Sequence, residues 1–599
     1  MSASSKKKLR KEQNAAAMTQ KQQAAAKEAK KMKIYTVTFW TVLVLCVALV
    51  AGLALQAPIT GIAARLTTAL EIGSHKVSAV ELNYFYTDAI NEYVNQYSSW
   101  ISYLLDTSAP LSSQKYDSTT GKTWADQFLT MAIDNAKNTY ALYDAAVAAG
   151  HSMSEDERKS IDSLYDNMDV YASYYGHSNV NDYLASVYGN GANEETYKEY
   201  YEVVAMASSY YSAYSAQLKD SYDDVALRSY EKDKMYEYNS YSYASHYLSV
   251  DSFKTGGTKG SDGKITYSEA EIKAAEEAAK KAAEELANAD NNTVDLLNAA
   301  IEALEKRLEA EKEAAKNEEN KTEAQTAETT DNVDDTTSND TTDDTTDDTT
   351  GDDKEEDKES SKTYSKATEK DDTLYSSVSS LMQEWIRDSA RKEGDITFLE
   401  YTTTSTDADG KETSTLKGYY VVLYKGVNDN TYALANVRHI LVKFEGGTTN
   451  STTGTTTYTE AEKNKAKEEA EKLYNEWLKG DKSEDSFSKL AKEKTDDSNG
   501  DQGGLYEDIV PGQMVTTFND WCFDKDRKAG DHGIVVTEYG YHIMFYSSDS
   551  ETNYRDYMVT NDLLTEDMEK WQKGLNDAMS LTEKNTSFVN KDLILNSGY

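Results

Sequence analysis

Few side chains in these 599 residues can do chemistry: seven histidines and two cysteines stand out. His75, His151, His177 and His532 show no metal-ligand spacing and read as surface or capping residues. Cys46 lies inside an apolar run and Cys522 far away in a polar region, so no intramolecular disulfide framework is expected. Gly503-Gly504 marks a turn; no Lys-Ser/Thr follows it, so it is not a phosphate loop. His439 stands in Val437-Arg438-His439-Ile440-Leu441-Val442, whose alternation predicts a half-buried strand. His542 stands in a second strand-forming run, Gly533 to Phe545. A lone histidine on a strand is most often structural, so the elements around these two decide their meaning.

Those elements read in a fixed order. After the first strand comes a helix over about 459–479, ending near Gly480. Phe487-x-x-Leu490-Ala491 opens a shorter helix, and a loop runs from Thr495 to Leu505. Pro511-Gly512-Gln513-Met514-Val515-x-x-Phe518 then leads to the last strand.

The same order occurs earlier in the chain. Tyr243–Val250 aligns with Asn436–Val442, placing His246 on His439. Tyr267-Ser-Glu-Ala-Glu matches Tyr458-Thr-Glu-Ala-Glu. Trp385-x-x-Asp388-x-x-Arg391-Lys392-x-Gly394-Asp395 matches Trp521-x-x-Asp524-x-x-Arg527-Lys528-x-Gly530-Asp531 at identical spacing. Gly418-Tyr-Tyr matches Gly540-Tyr-His. Two copies of one α/β module are therefore expected.

With R-H-I-L-V, Gly-Gly-Leu, G-Q-M-V-x-x-F and T-x-Y-G-Y-H-I in this order, residues 436–548 resemble the parvulin (PpiC, rotamase) family of peptidyl-prolyl isomerases. The wider layout is similar to the PrsA-like foldases and SurA-like periplasmic chaperones. The resemblance implies a four-stranded antiparallel sheet flanked by helices. It also implies a site in which the paired histidines are His439 and His542 and the loop acid is Asp497. The substrate pocket would use Met514 and Phe518 as its apolar floor, Leu505 or Tyr506 at its edge, and Thr537 and Tyr539 beside it. No metal or cofactor is implied.

The implied chemistry suits these residue types. Rotation about a peptide bond faces a barrier of roughly 18–20 kcal/mol, and no bond is made or broken. A dry pocket favours the twisted amide, which is less polar than the planar one. Met514 and Phe518 would hold the pyrrolidine ring, the histidines would keep the pocket's shape, and Asp497 would tune the local field. The first module keeps His246 but has Tyr420 in place of the second histidine, and Ser377–Met382 replaces G-Q-M-V-x-x-F. It is expected to be degenerate and inactive.

The rest of the chain sets compartment and partners. Residues 1–33 carry ten Lys/Arg against two Glu, and Ile34–Leu55 is 22 residues without a charge. A helix of that length reaches roughly 33 Å, enough to span a bilayer. The basic side should stay cytoplasmic. A single-pass anchor over 34–57 is expected, with residues 1–33 inside and the bulk of the chain outside the cytoplasmic membrane. The net charge of −41, despite that basic start, excludes a nucleic-acid-binding body.

Residues 65–243 read as an all-helical, chaperone-like region, with Ser78-x-x-Glu81 and Ser154-x-x-Glu157 opening helices. The degenerate module spans 244–427, with an acidic low-complexity insert at about 319–360 expected to be disordered. Residues 551–599 read as helices packing on the chaperone-like region. The fold class is thus α+β: an N-terminal transmembrane helix, a helical region, and two parvulin-like modules. Unfolded exported polypeptides with X-Pro bonds are the expected partners. The alternative is a non-catalytic holdase or scaffold that keeps the parvulin shape.

Overall fold

The computed structural model describes residue 5 and residues 57–98, 100–328, 364–407, 410–451 and 453–595. The basic segment 1–33 and the apolar run over 34–55 lie outside the described residues, Ser5 apart. Among the described residues no helix is long and apolar enough to cross a membrane. The chain divides into two compact units: one combines the chain up to Glu231 with Thr431 onward, and the other is Lys232–Asn430.

The first unit opens with α1 (Ala57–Leu66), β1 (Thr68–Ile72) and β2 (His75–Ser78). Helices α2 (Ala79–Gln96), α3 (Trp124–Ala149), α4 (Glu155–Asp166), α5 (Val180–Tyr188), α6 (Glu194–Asp220) and α7 (Asp224–Glu231) follow. Ser78 caps α2 by accepting the Glu81 N–H, and Ser154 with Glu157 closes a full capping box on α4. The region is not all-helical: β1 and β2 pair, and a strand from the chain's far end joins them. The bulkiest fully buried side chains of its core are tyrosines. The rings of Tyr84, Tyr188, Tyr197 and Tyr200 meet, with centroids 4.6 to 6.1 Å apart. Tyr84 also bonds Thr196 Oγ1 at 2.8 Å, so the polar tip of a buried ring finds a partner.

The second unit contains β3 (Ser240–Ser249), α8 (Glu269–Leu286), α9 (Val294–Glu328), β4 (Thr368–Leu374), α10 (Ser380–Ile386), β5 (Ile396–Thr406) and β6 (Glu412–Asn428). Its sheet has the order β4-β3-β6-β5, all antiparallel. Helix α9 continues through Glu328, so the first part of the expected disordered insert is helical. Residues 329–363, which hold the rest of that insert, lie outside the described residues.

The first unit resumes with β7 (Ala433–Lys443), α11 (Glu460–Leu478), α12 (Glu484–Lys494), β8 (Leu505–Ile509), α13 (Thr516–Cys522), β9 (His532–Thr537) and β10 (Gly540–Asn553). The sheet order β8-β7-β10-β9 repeats that of the second unit. One face packs Ile440, Val442, Ile543 and Phe545 against Ala470, Leu473 and Trp477 of α11 and Phe487 of α12. The other packs Ala435, Val437 and Met544 against Phe518 and Cys522 of α13. Each large side chain buried this way stabilises the fold by about 1.5–3 kcal/mol.

Helix α14 (Tyr554–Ala578) and β11 (Leu581–Glu583) end the regular structure. Residues 551–599 are thus one helix and a strand rather than helices alone. Trp571 of α14 stacks on Tyr214 of α6 at 4.0 Å, and β11 pairs with β1, aligning Leu581 with Ile72. Buried Arg555 of α14 is held by Glu231 of α7 at 2.5 Å.

Candidate active site

Strand alternation puts every second side chain of β7 and β10 on the α13 face. His439 and His542 are two of them, 0 % and 2 % exposed. In the register His439 lies opposite Met544 and His542 opposite Leu441, so the imidazoles are diagonal neighbours. Their Nδ1 atoms are 3.0 Å apart and their planes lie within 19°.

The loop after α12 brings Asp497 to this pair. It is strapped to β7 by the Asp496 N–H on the Leu441 carbonyl at 2.8 Å and by the Leu441 N–H on Thr495 Oγ1 at 3.0 Å. Gly504 closes the loop with φ +72°, and a Cβ there would stand 2.2 Å from the His439 carbonyl oxygen. Only glycine fits, which gives the Gly-Gly-Leu segment its reason.

Five side chains then form one hydrogen-bonded line. Tyr506 donates its hydroxyl to Asp497 Oδ2 at 2.7 Å. His439 Nε2 meets the same oxygen at 2.7 Å. Beyond the imidazole pair, His542 Nε2 lies 2.9 Å from Thr537 Oγ1, which also accepts the Tyr539 N–H at 3.1 Å. Asp497 Oδ1 takes the Ser498 N–H at 2.7 Å.

The charges of the groups fix the direction of this line. Burial raises the Asp497 carboxyl, but the bond and charge of His439, with bonds from Tyr506 and Ser498, more than offset it and hold it below its ordinary value. It is therefore an anion that only accepts. Burial and the Asp497 charge push the Tyr506 hydroxyl well up, so it stays a donor. Burial, with the neighbouring His439, pushes the His542 imidazolium down to about 3, so this ring is neutral at pH 7. Because Asp497 only accepts, His439 donates through Nε2, and where its Nδ1 carries no hydrogen it accepts there from His542 Nδ1–H. His542 Nε2 is then left to accept the Thr537 hydroxyl. In that arrangement each hydrogen in the line has one acceptor.

Phe518 sets its ring edge-on to both imidazoles, 5.4 Å from each. Met514 and Phe518 are nearly fully buried and share a cluster with Cys522 and Met544. Cys522 is inert: burial pushes its thiol far up. Tyr506, opposite Val437, shares the imidazole face. Leu505 pairs with Arg438 and so takes the opposite face, where Arg438 binds Glu484. Of the two readings of the pocket edge, the alternation along β8 leaves Tyr506. The sequence reading did not find its hydroxyl bond to Asp497; the signal was a tyrosine alternating into the strand face that holds the histidine.

The first module does not carry this line. In the sheet register His439 opposes the residue four beyond Gly540, Met544, and the residue opposing the one four beyond Gly418 is Ser245. His246 therefore does not stand for His439. It takes the place of Ile440 on the opposite face, because a slip of one residue turns every side chain over. Burial lowers its imidazole there, with the Glu305 carboxylate opposing that. Tyr420 does stand where His542 stands.

Residues 421–547 match the PPIC-type PPIASE domain family. The match begins inside β6, while the folded module begins at β7. Among solved structures, the chain is similar to the peptidylprolyl isomerase PrsA from Bacillus cereus, at 23% identity and TM-score 0.16 over 25% of this chain and 49% of that one. It is also similar to PrsA from Bacillus anthracis, at 21% and 0.16 over 25% and 59%. PrsA from Bacillus subtilis gives 23% and 0.16 over 26% and 55%. The chain thus spans about half the length of these structures. No curated protein matches it.

Proposed function

We propose that this chain, which carries a parvulin-type PPIase domain over residues 421–547, catalyses cis/trans isomerisation of X-Pro bonds in unfolded exported polypeptides at the outer face of the cytoplasmic membrane. The observation that carries the catalytic reading is the hydrogen-bonded line from half-buried Tyr506 to Thr537, set against the edge of Phe518.

The arrangement suits a reaction without covalent steps. Thr537 is buried with its oxygen already accepting the Tyr539 N–H, and Cys522 is sealed in the core, so neither is presented to a substrate as a nucleophile. What the site can do is hold a planar amide where a twisted one is preferred. Met514 and Phe518 supply apolar surface for the pyrrolidine ring. His439 and His542, locked to one another, keep the wall rigid. Asp497 fixes the tautomers and sets the field. A barrier of roughly 18–20 kcal/mol falls when conjugation is weakened in such a setting.

The compartment rests on the sequence. A basic stretch followed by 22 uncharged residues is a signal-anchor pattern that would leave residues after 57 outside. Uncatalysed isomerisation takes tens to hundreds of seconds, long enough to limit folding of a newly exported chain.

The test is protease-coupled isomerisation of X-Pro tetrapeptides by the full chain. Acceleration above the spontaneous rate is expected. A folded chain that gives none would leave the non-catalytic holdase reading in its place.

A further inference from the structure

We propose that Tyr506 is a positioning residue for this site: its hydroxyl shares Asp497 Oδ2 with His439 and thereby fixes which way the line of hydrogens runs. The inference rests on the isomerase reading and adds to it a residue that acts through Asp497 rather than on the peptide.

Three observations carry it. The two bonds to Oδ2 are equal at 2.7 Å, while Oδ1 holds only the Ser498 N–H. Tyr506 also lays its ring 5.2 Å from the His439 ring, tilted by 31°, so the side chain is fixed at both ends. And β8, which carries it, is hydrogen-bonded to β7, which carries His439.

The consequence follows from which form each bond favours. A donor to a carboxylate stabilises the anion, and removing it makes the carboxylate more basic. The Asp497–His439 couple then takes up a proton at higher pH. Once it does, His439 donates through both nitrogens. His542 must turn acceptor at Nδ1 and donor at Nε2. Thr537 Oγ1 then accepts from both His542 and Tyr539, and its own hydrogen is turned out of the line. The dry wall gains a polar donor.

The charged and titratable groups facing Asp497 are few. Strand β7 presents His439 and Lys443, β8 presents Tyr506 and β10 presents His542, while Asp496 of the loop acts on Lys443. Helix α13 offers only the Phe518 ring to the pair.

Tyr506→Phe keeps the ring and removes only the hydroxyl, so it separates positioning from packing. Two readouts are needed, both on the full chain. One is the pH profile of kcat/KM for an X-Pro peptide. The other is the ¹⁵N shift titration of the labelled imidazoles of His439 and His542. The expected result is an upward move of the acid limb by about one pH unit in both. Tyr506→Leu should move it equally and in addition raise KM, because the ring is lost. Superimposable wild-type and Tyr506→Phe titrations would overturn the proposal. The imidazole titration decides this even if the wild type proves not to isomerise, which would refute only the reading above.

Discussion

In the second module Arg527 lies over Trp521 at 4.0 Å; in the first, Arg391 lies over Trp385 at 4.1 Å. Gly530 donates to the Tyr546 carbonyl at 2.8 Å, and Gly394 to that of Tyr424 at 2.9 Å. Glu462 accepts the Gly447 N–H at 2.9 Å, as Glu271 does that of Gly257. The frames agree in these contacts. The face that holds the histidines does not. By the same register Ser245 replaces His439, Tyr420 replaces His542, Tyr401 replaces Thr537 and Tyr247 replaces Leu441. Counting from the matched Trp385 and Trp521, Val378 and Met382 replace Met514 and Phe518. The three tyrosine rings touch one another, with centroids 4.9 to 6.0 Å apart, and Tyr247 and Tyr401 are each 38 % exposed.

The difference shows what each kind of contact demands. The frame is held by packing and backbone bonds that tolerate many side chains. The hydrogen-bonded line needs five particular side chains from four strands and a loop, and losing one leaves its neighbours unsatisfied. Once His439 is replaced, nothing selects for Asp497 or Thr537, and rings can fill the face.

The comparison can be tested on its apolar floor first. Phe518→Ala should cost about 3–5 kcal/mol by urea denaturation and also remove isomerase activity. Met382→Ala should cost about 2–5 kcal/mol and leave activity intact. Loss of activity in both would mean that the first module takes part in catalysis.

A smaller effect tests the neutral line by pH. His542 is neutral in the fold with its imidazolium pushed down to about 3, against an ordinary 6.5. The unfolded chain binds that proton first, so stability is present above pH 6.5 and is lost as pH falls toward 3. Denaturation of the full chain should show a loss of about 3 kcal/mol between pH 7 and pH 4.5 from this group. His246 in the first module adds a loss of the same sign as pH falls below 6.5, and Asp497, held low, adds one only below its ordinary 3.8. His542→Gln should remove most of the loss, and an unchanged pH dependence would contradict the neutral line.

The smallest effect should be equal in the two frames. Arg527→Ala and Arg391→Ala each remove one guanidinium from one tryptophan face, and each should cost about 1 kcal/mol in urea denaturation. A large inequality would mean that the frames are less alike than their bonds.

Much of this was legible in the sequence because it is local. The Trp-to-Gly-Asp spacing fixes a helix, a turn and the start of a strand in both modules, and the structure gives them the same bonds. The slip at His246 has a physical cause: it comes from matching histidine to histidine, whereas a strand is aligned by which residues face the core. Ala244, Leu248 and Val250 face the helices, which sets His246 on their side. The sheet β11-β1-β2 was not legible. Its strands are three to five residues long, and β1 finds β11 only from the far end of the chain. The Tyr506 bond was only half legible: strand alternation puts the ring on the histidine face, but the meeting of its hydroxyl with Asp497 depends on how the preceding loop folds back.

The most direct measurement is exchange NMR of an X-Pro peptide with the full chain as wild type, His542→Ala and Tyr420→Ala. The account predicts that His542→Ala lowers the catalysed rate on the order of 100-fold and that Tyr420→Ala leaves it at the wild-type value. An undiminished rate in His542→Ala, or an equal loss in Tyr420→Ala, would contradict the placing of the isomerase site in the second module.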